Sequence, residues 1–106
     1  MKVLFLKLMA DYGGMVLWHF DSSAVGPVDP DELPLSDDLK KQLDDWAKTY
    51  DRTLNASYPP DSGFESSEEE NAFEAEGLRL FHALKTELPE TTRVVYFSEK
   101  RGKLVE

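Results

Sequence analysis

The 106-residue chain contains no cysteine. That absence excludes disulfide scaffolds, zinc fingers and thiol catalysis. Positive charge is scarce: 12 Lys and Arg against 21 Asp and Glu leave a formal net charge of −9, with a pI near 4.6. A duplex binder needs cations to displace phosphate counterions, and adhesion to anionic lipid needs a basic surface. The balance argues against nucleic acid and against a membrane as partners. A long hydrophobic run is missing too. The opening stretch Met1-Lys2-Val3-Leu4-Phe5-Leu6-Lys7-Leu8-Met9 is interrupted by Lys7 and has Asp11-Tyr12 where a cleavage site would need small residues. It is also far short of the roughly 20 residues that span a bilayer. It reads as a buried strand, and the expected compartment is the cytoplasm.

Catalytic signatures are equally absent. The sequence has no HExxH, GxGxxG, P-loop or nucleophile elbow. Asp29-Pro30-Asp31-Glu32 lacks the alternating oxygen register of a calcium loop. The only histidines are His19 and His82. His82 follows Phe81 and flanks an apolar helical stripe. His19 lies between Trp18 and Phe20, with Asp11 and Asp21 close in sequence, so a His–carboxylate pair for acid–base work or metal binding is the enzymatic alternative. No further ligand falls at a supporting spacing, so no catalytic residue, metal or cofactor is expected.

What is present suffices for one domain over residues 1–106, since 41% of residues are hydrophobic. Residues 2–9 alternate with apolar side chains on both faces, Leu4, Leu6 and Leu8 on one and Val3, Phe5 and Met9 on the other. Such a strand is either covered on both sides or meets a partner with its second face. Asp11-Tyr12-Gly13-Gly14 reads as a turn and Met15–Phe20 as a second strand. Residues 21–35, with Pro27, Pro30 and Pro34, form a long connection that is either a binding loop or a solvated crossover. Ser36 caps a first helix whose stripe runs Leu39, Leu43, Trp46, Ala47, Tyr50 and Leu54, with Asn55 closing it. A second loop, residues 55–65, leads to a capping box made by Ser66 with Glu69 or by Ser67 with Glu70. The second stripe is Phe73, Gly77, Leu80, Phe81, Leu84 and Leu88, and Pro89 stops it. A mid-helix glycine costs roughly 1 kcal/mol against alanine, so Gly77 predicts a close approach to the first helix or to the sheet. Arg93–Ser98 is a strand, Glu99-Lys100-Arg101-Gly102 a turn and Lys103–Val105 a short edge strand. The expected fold is an α+β two-layer sandwich of order β-β-α-α-β-β, with two amphipathic helices packed on a small three- to four-stranded sheet.

The acidity is local. Residues 21–35 carry −4 and residues 56–76 carry −7, whereas residues 1–20 and 77–106 carry +1 and +2. Some of the run Glu65, Glu68, Glu69, Glu70 is ordinary helix capping. The remainder suits contact with a basic protein. The candidate contacts are Asp29, Asp31 and Glu32 in the first loop, or Glu65, Glu68, Glu69 and Glu70 at the second helix start, with Tyr58 and Asp61 beside them. Aromatics near loops, such as Trp18 and Phe64, serve either as binding anchors or as lids over a small core.

The phrases Asp11-Tyr12-Gly13, Leu17-Trp18, Pro34-Leu35-Ser36, Leu43 with Trp46, Tyr50-Asp51, Leu54-Asn55, Ser62-Gly63-Phe64, Phe73-Glu74-Ala75-Glu76-Gly77 and Val94-Val95-Tyr96-Phe97 resemble a set of small uncharacterised bacterial proteins. The resemblance spans roughly residues 3 to 97 and brings no activity or site residues with it. In size, acidity and lack of a catalytic constellation the chain also resembles immunity proteins of bacterial toxin systems. That likeness implies a cytoplasmic, non-enzymatic inhibitor that blocks a basic toxin domain by contact, as a monomer or weak homodimer. The alternative is a housekeeping domain that self-associates through an edge strand or binds a small ligand near Trp18.

Overall fold

The computed structural model describes residues 4–11, 13–20, 26–53, 63–98 and 100–106. Its regular elements are β1 (Leu4–Leu8), β2 (Leu17–His19), α1 (Asp37–Asp51), α2 (Ser67–Glu87), β3 (Thr92–Ser98) and β4 (Lys103–Val105), in the expected order. The strands form one sheet ordered β2-β1-β3-β4. β1 pairs antiparallel with β2 through the glycine turn, and β3 pairs antiparallel with β4. The helical crossover between β2 and β3 returns the chain beside β1, so the two central strands run parallel.

Period two divides the strands cleanly. Leu6, Leu8, Leu17, Val94 and Tyr96 point to the helical side and are buried. On that side α2 lies on β3, while α1 packs on α2: the rings of Trp46 and Phe73 stack at 4.6 Å, and the Trp46 indole N–H donates to the Phe73 carbonyl at 3.1 Å. The opposite side carries Phe5 and Leu104, 40% and 42% exposed. Among the described residues no element covers it, so of the two readings of the doubly apolar first strand the structure favours an open second face.

Helix boundaries follow the capping chemistry. The Ser36 hydroxyl accepts from the Leu39 N–H at 3.1 Å, and Ser36 in turn donates its N–H and hydroxyl to the two carboxylate oxygens of Glu87 at 2.7 and 3.0 Å. The start of α1 is thereby tied to the end of α2, and the helices run antiparallel. Of the two possible Ser/Glu pairs, Ser66 with Glu69 is used: Ser66 Oγ accepts from the Glu69 N–H, while the Glu69 carboxylate accepts at 3.4 Å from the N–H of Glu65, one residue before the cap. Helix one is shorter than its apolar stripe predicts. It ends at Asp51, because the Thr53 N–H and hydroxyl both donate to the Tyr50 carbonyl and turn the chain. Leu54 and Asn55 lie outside the described residues. The second strand is likewise trimmed from residues 15–20 to residues 17–19, with single backbone bonds from Met9 to Val16 and from Phe20 to Phe5 at its ends.

The first loop is described from Gly26 onward. Residues 26–28 bond to Leu17 and His19 and cover the outer edge of β2, burying Val28. A single 3₁₀ turn follows over Pro30–Glu32, capped by the Asp29 carboxylate on the Asp31 N–H at 2.9 Å. This half of the loop is a packed crossover.

Candidate functional site

The two acidic groups predicted as contacts stand at opposite ends of the helical layer. Asp29, Asp31 and Glu32 are exposed just before α1, where Asp31 meets Lys40 at 3.5 Å. Glu65, Glu68 and Glu69 are exposed and Glu70 half-buried at the start of α2, beside the far end of α1. A helix of 15 residues is roughly 22 Å long. The antiparallel pairing fixed by Ser36 and Glu87 therefore keeps the groups apart, and they do not merge into one surface. Tyr58 and Asp61 lie outside the described residues.

The second group borders a concavity. Between the end of α1 and the start of α2 is a cavity of about 650 Å³. Trp46, Phe64 and Phe73 line it together with Arg52, Glu65 and Glu69. Phe64 and Tyr50 pack on Phe73 at ring separations of 5.1 and 5.7 Å. Phe64 is thus both a lid on the core and part of an accessible wall, joining the two alternatives its sequence position left open. The Arg52 guanidinium donates to Thr49 Oγ1 at 3.1 Å and was not foreseen as part of this region. Around the same helices, exposed pairs tighten the protons of their cations. Lys48 is held above its usual range by the hydrogen bond it donates to Asp44 and by attraction to that carboxylate, and Arg79 by the hydrogen bonds it donates to Glu76.

His19 Nδ1 is buried with no hydrogen-bond partner among the described residues, so no described carboxylate bonds to that nitrogen, and Asp21 lies outside the described residues. His82 is exposed, its ring 5.4 Å from that of Phe81. No group of three or more metal-ligating side chains occurs among the described residues.

Several residues that carry the resemblance meet in a buried node instead of on a surface. Glu74, only 7% exposed, accepts from the Ser98 hydroxyl at 2.7 Å and from the Tyr96 hydroxyl at 3.3 Å. Ser98 Oγ also accepts from the Arg101 N–H at 3.1 Å, which shapes the turn into β4. Tyr96, Trp46 and Gly77 crowd the same point. These residues therefore specify how α1, α2 and β3 fit together. A buried carboxylate needs such donors to offset its lost hydration.

The second face of the first strand, offered by the sequence as covered or as meeting a partner, is one side of an outward sheet face that β2, β3 and β4 extend. Its strand positions are Phe5, Lys7, Trp18, Arg93, Val95, Phe97 and Leu104. Two signals pointed to it: apolar residues on both faces of the first strand, and the positive balance of residues 1–20 and 77–106.

A family model described as Serratia CdiI immunity protein-like matches residues 5–99. No curated protein matches the chain. The match takes in β1, β2, both helices and β3, and thus the whole buried node. The chain belongs to the Serratia CdiI immunity protein-like family.

Proposed function

We propose that the protein neutralises a cognate bacterial toxin by protein–protein contact, without chemistry of its own, in the cytoplasm of the cell it protects. The family match over residues 5–99 carries this reading. The docking surface for a basic toxin domain is the acidic start of α2, with Glu65 and Glu69 on the border of the aromatic-lined cavity and Glu68 and Glu70 beside them. A concave border of carboxylates over an apolar floor suits a cationic side chain of the toxin, and the surrounding negative field steers its approach. Asp29, Asp31 and Glu32 form the lesser candidate, since the concavity beside Asp29 is only about 220 Å³.

The test is co-expression with a candidate cognate toxin domain from the same organism, together with binding of the two purified proteins. Rescue of growth and a stable one-to-one complex are expected. Failure of the purified pair to associate would overturn the reading.

A further inference from the structure

We infer that Arg52 determines specificity at the docking surface proposed above, on which this inference rests. Arg52 receives a carboxylate of the toxin in the aromatic-lined cavity. The segment that docks there therefore presents a basic and an acidic side chain side by side.

Arg52 is the exception among the cations of the helical layer. Lys40, Lys41, Lys48 and Arg79 each meet a carboxylate, those of Asp31, Asp45, Asp44 and Glu76. Lys85 lies over the Phe81 ring, 5.0 Å from its centroid. Arg52, the C-cap of α1, has no carboxylate within ion-pair distance among the described residues. Yet Glu65, Glu69 and Glu76 line the same cavity. The dipole of α1 does not call for Arg52, since Lys48 already places a cation in the last turn.

A hydroxyl holds the guanidinium without neutralising it. Arg52 Nη2 donates to Thr49 Oγ1 at 3.1 Å, and Thr49 Oγ1 donates to the Asp45 carbonyl at 3.0 Å. A planar guanidinium matches a carboxylate through two parallel N–H bonds, so the side chain is set to receive one.

The cavity has room for more than one group. Its volume of about 650 Å³ falls in the range of about 300–1,000 Å³ that takes a whole small ligand. One cationic side chain does not fill it. Its border carries both signs, with Glu65 and Glu69 for the cation and Arg52 for the anion, and Phe64 and Phe73 give the apolar stems a wall. A wholly basic surface is attracted by the carboxylates but opposed by Arg52. A surface that adds an acid turns that repulsion into an ion pair, strengthened by partial enclosure. Arg52 thus discriminates among basic toxins.

The sign of one substitution tests this. Arg52→Glu makes an acidic chain more acidic, so a complex held by its overall field alone would tighten. We expect the opposite in titrations with the candidate toxin domain. The dissociation constant should rise at least about tenfold, through faster dissociation. Arg52→Gln should fall between the two. Lys41→Glu makes the same charge change on α1 outside the cavity and should not weaken binding. Arg52 is exposed and its side chain bonds to Thr49 alone among the described residues, so both of its variants fold, as thermal denaturation will verify. Arg52→Glu binding as tightly as the unsubstituted chain, or more tightly, overturns the inference and leaves the docking reading standing. Equal weakening by Lys41→Glu also overturns it. Failure of the unsubstituted pair to associate overturns that reading and the inference with it.

Discussion

The phenolic oxygen of Tyr96 takes the space that a side chain at position 77 would need. A Cβ added to Gly77 would lie 2.5 Å from that oxygen and 2.9 Å from Cζ2 of Trp46. The glycine in the middle of α2 is thus explained from both sides at once, by a tyrosine of the sheet and a tryptophan of the neighbouring helix. Backbone permissiveness is not the reason, since the residue is helical.

Gly77→Ala follows directly. Alanine gains up to about 1 kcal/mol of helix propensity. Overpacking against two rigid rings costs about 1–3 kcal/mol. The rings give little way, since Tyr96 is hydrogen-bonded to Glu74 and Trp46 to Phe73. A net loss of about 1–2 kcal/mol is expected, seen as a fall in Tm of roughly 4–10 °C in thermal denaturation. A rise in Tm would mean that α2 and β3 stand farther apart.

Ser98→Ala removes the 2.7 Å donor to Glu74 and the acceptor for the Arg101 N–H together. Leaving buried polar groups unpaired costs about 1–3 kcal/mol. Urea denaturation should show that loss with an unchanged slope. Combined with Glu74→Leu, which leaves no acceptor for the Ser98 hydroxyl, the two effects should fall short of their sum, because both substitutions break the same hydrogen bond.

Ser36→Ala strips the cap of α1 and the hydroxyl half of its link to α2 in one change. The backbone bond to Glu87 survives, so the expected cost is about 1 kcal/mol. Equilibrium denaturation measures it, and Leu39 should lose amide-exchange protection before Leu43 does.

Charge reversal separates the two acidic groups. Glu65→Lys with Glu69→Lys should slow association with the toxin domain about tenfold at low salt, and raising the salt should shrink the difference. Asp29→Lys with Asp31→Lys should have a clearly smaller effect. Stopped-flow association at two ionic strengths distinguishes the pairs, and equal effects would contradict the assignment of the docking surface to the start of α2.

Local chemistry was legible where a side chain acts on its own backbone. Ser36, Ser66 and Pro89 mark helix ends because capping and the missing proline N–H act within a few residues. The end of helix one was not, because Leu54 prolongs the apolar stripe by a correct step while the Thr53 bonds to the Tyr50 carbonyl end it three residues earlier. The α+β class and the element order followed from periodicity. The parallel pairing of β1 with β3 did not, since it depends on the path of the crossover. Of the candidate site, the residue types were readable but not their grouping. Whether Asp31 and Glu65 share a surface is decided by a contact between Ser36 and Glu87, 51 positions apart. Exposure of Phe5 and Leu104 was hidden for a related reason: an alternating strand shows which residues share a face, not what lies above it.

The sheet has its first strand and its last but one, β1 and β3, side by side at its centre. Leu4 pairs with Thr92 and Leu8 with Tyr96, and every other strand attaches to one of these two. Neither amphipathic helix has a completed surface to lie on until residues 92–96 arrive. Most of the chain must wait for its last strands, and the loop-closure entropy of that pairing falls due in a single late step. During synthesis, a chain stopped before Thr92 carries both acidic groups and nearly all of the helical stripe, yet has no way to hold them in place. The arrangement of those groups is therefore set only once β3 has joined β1.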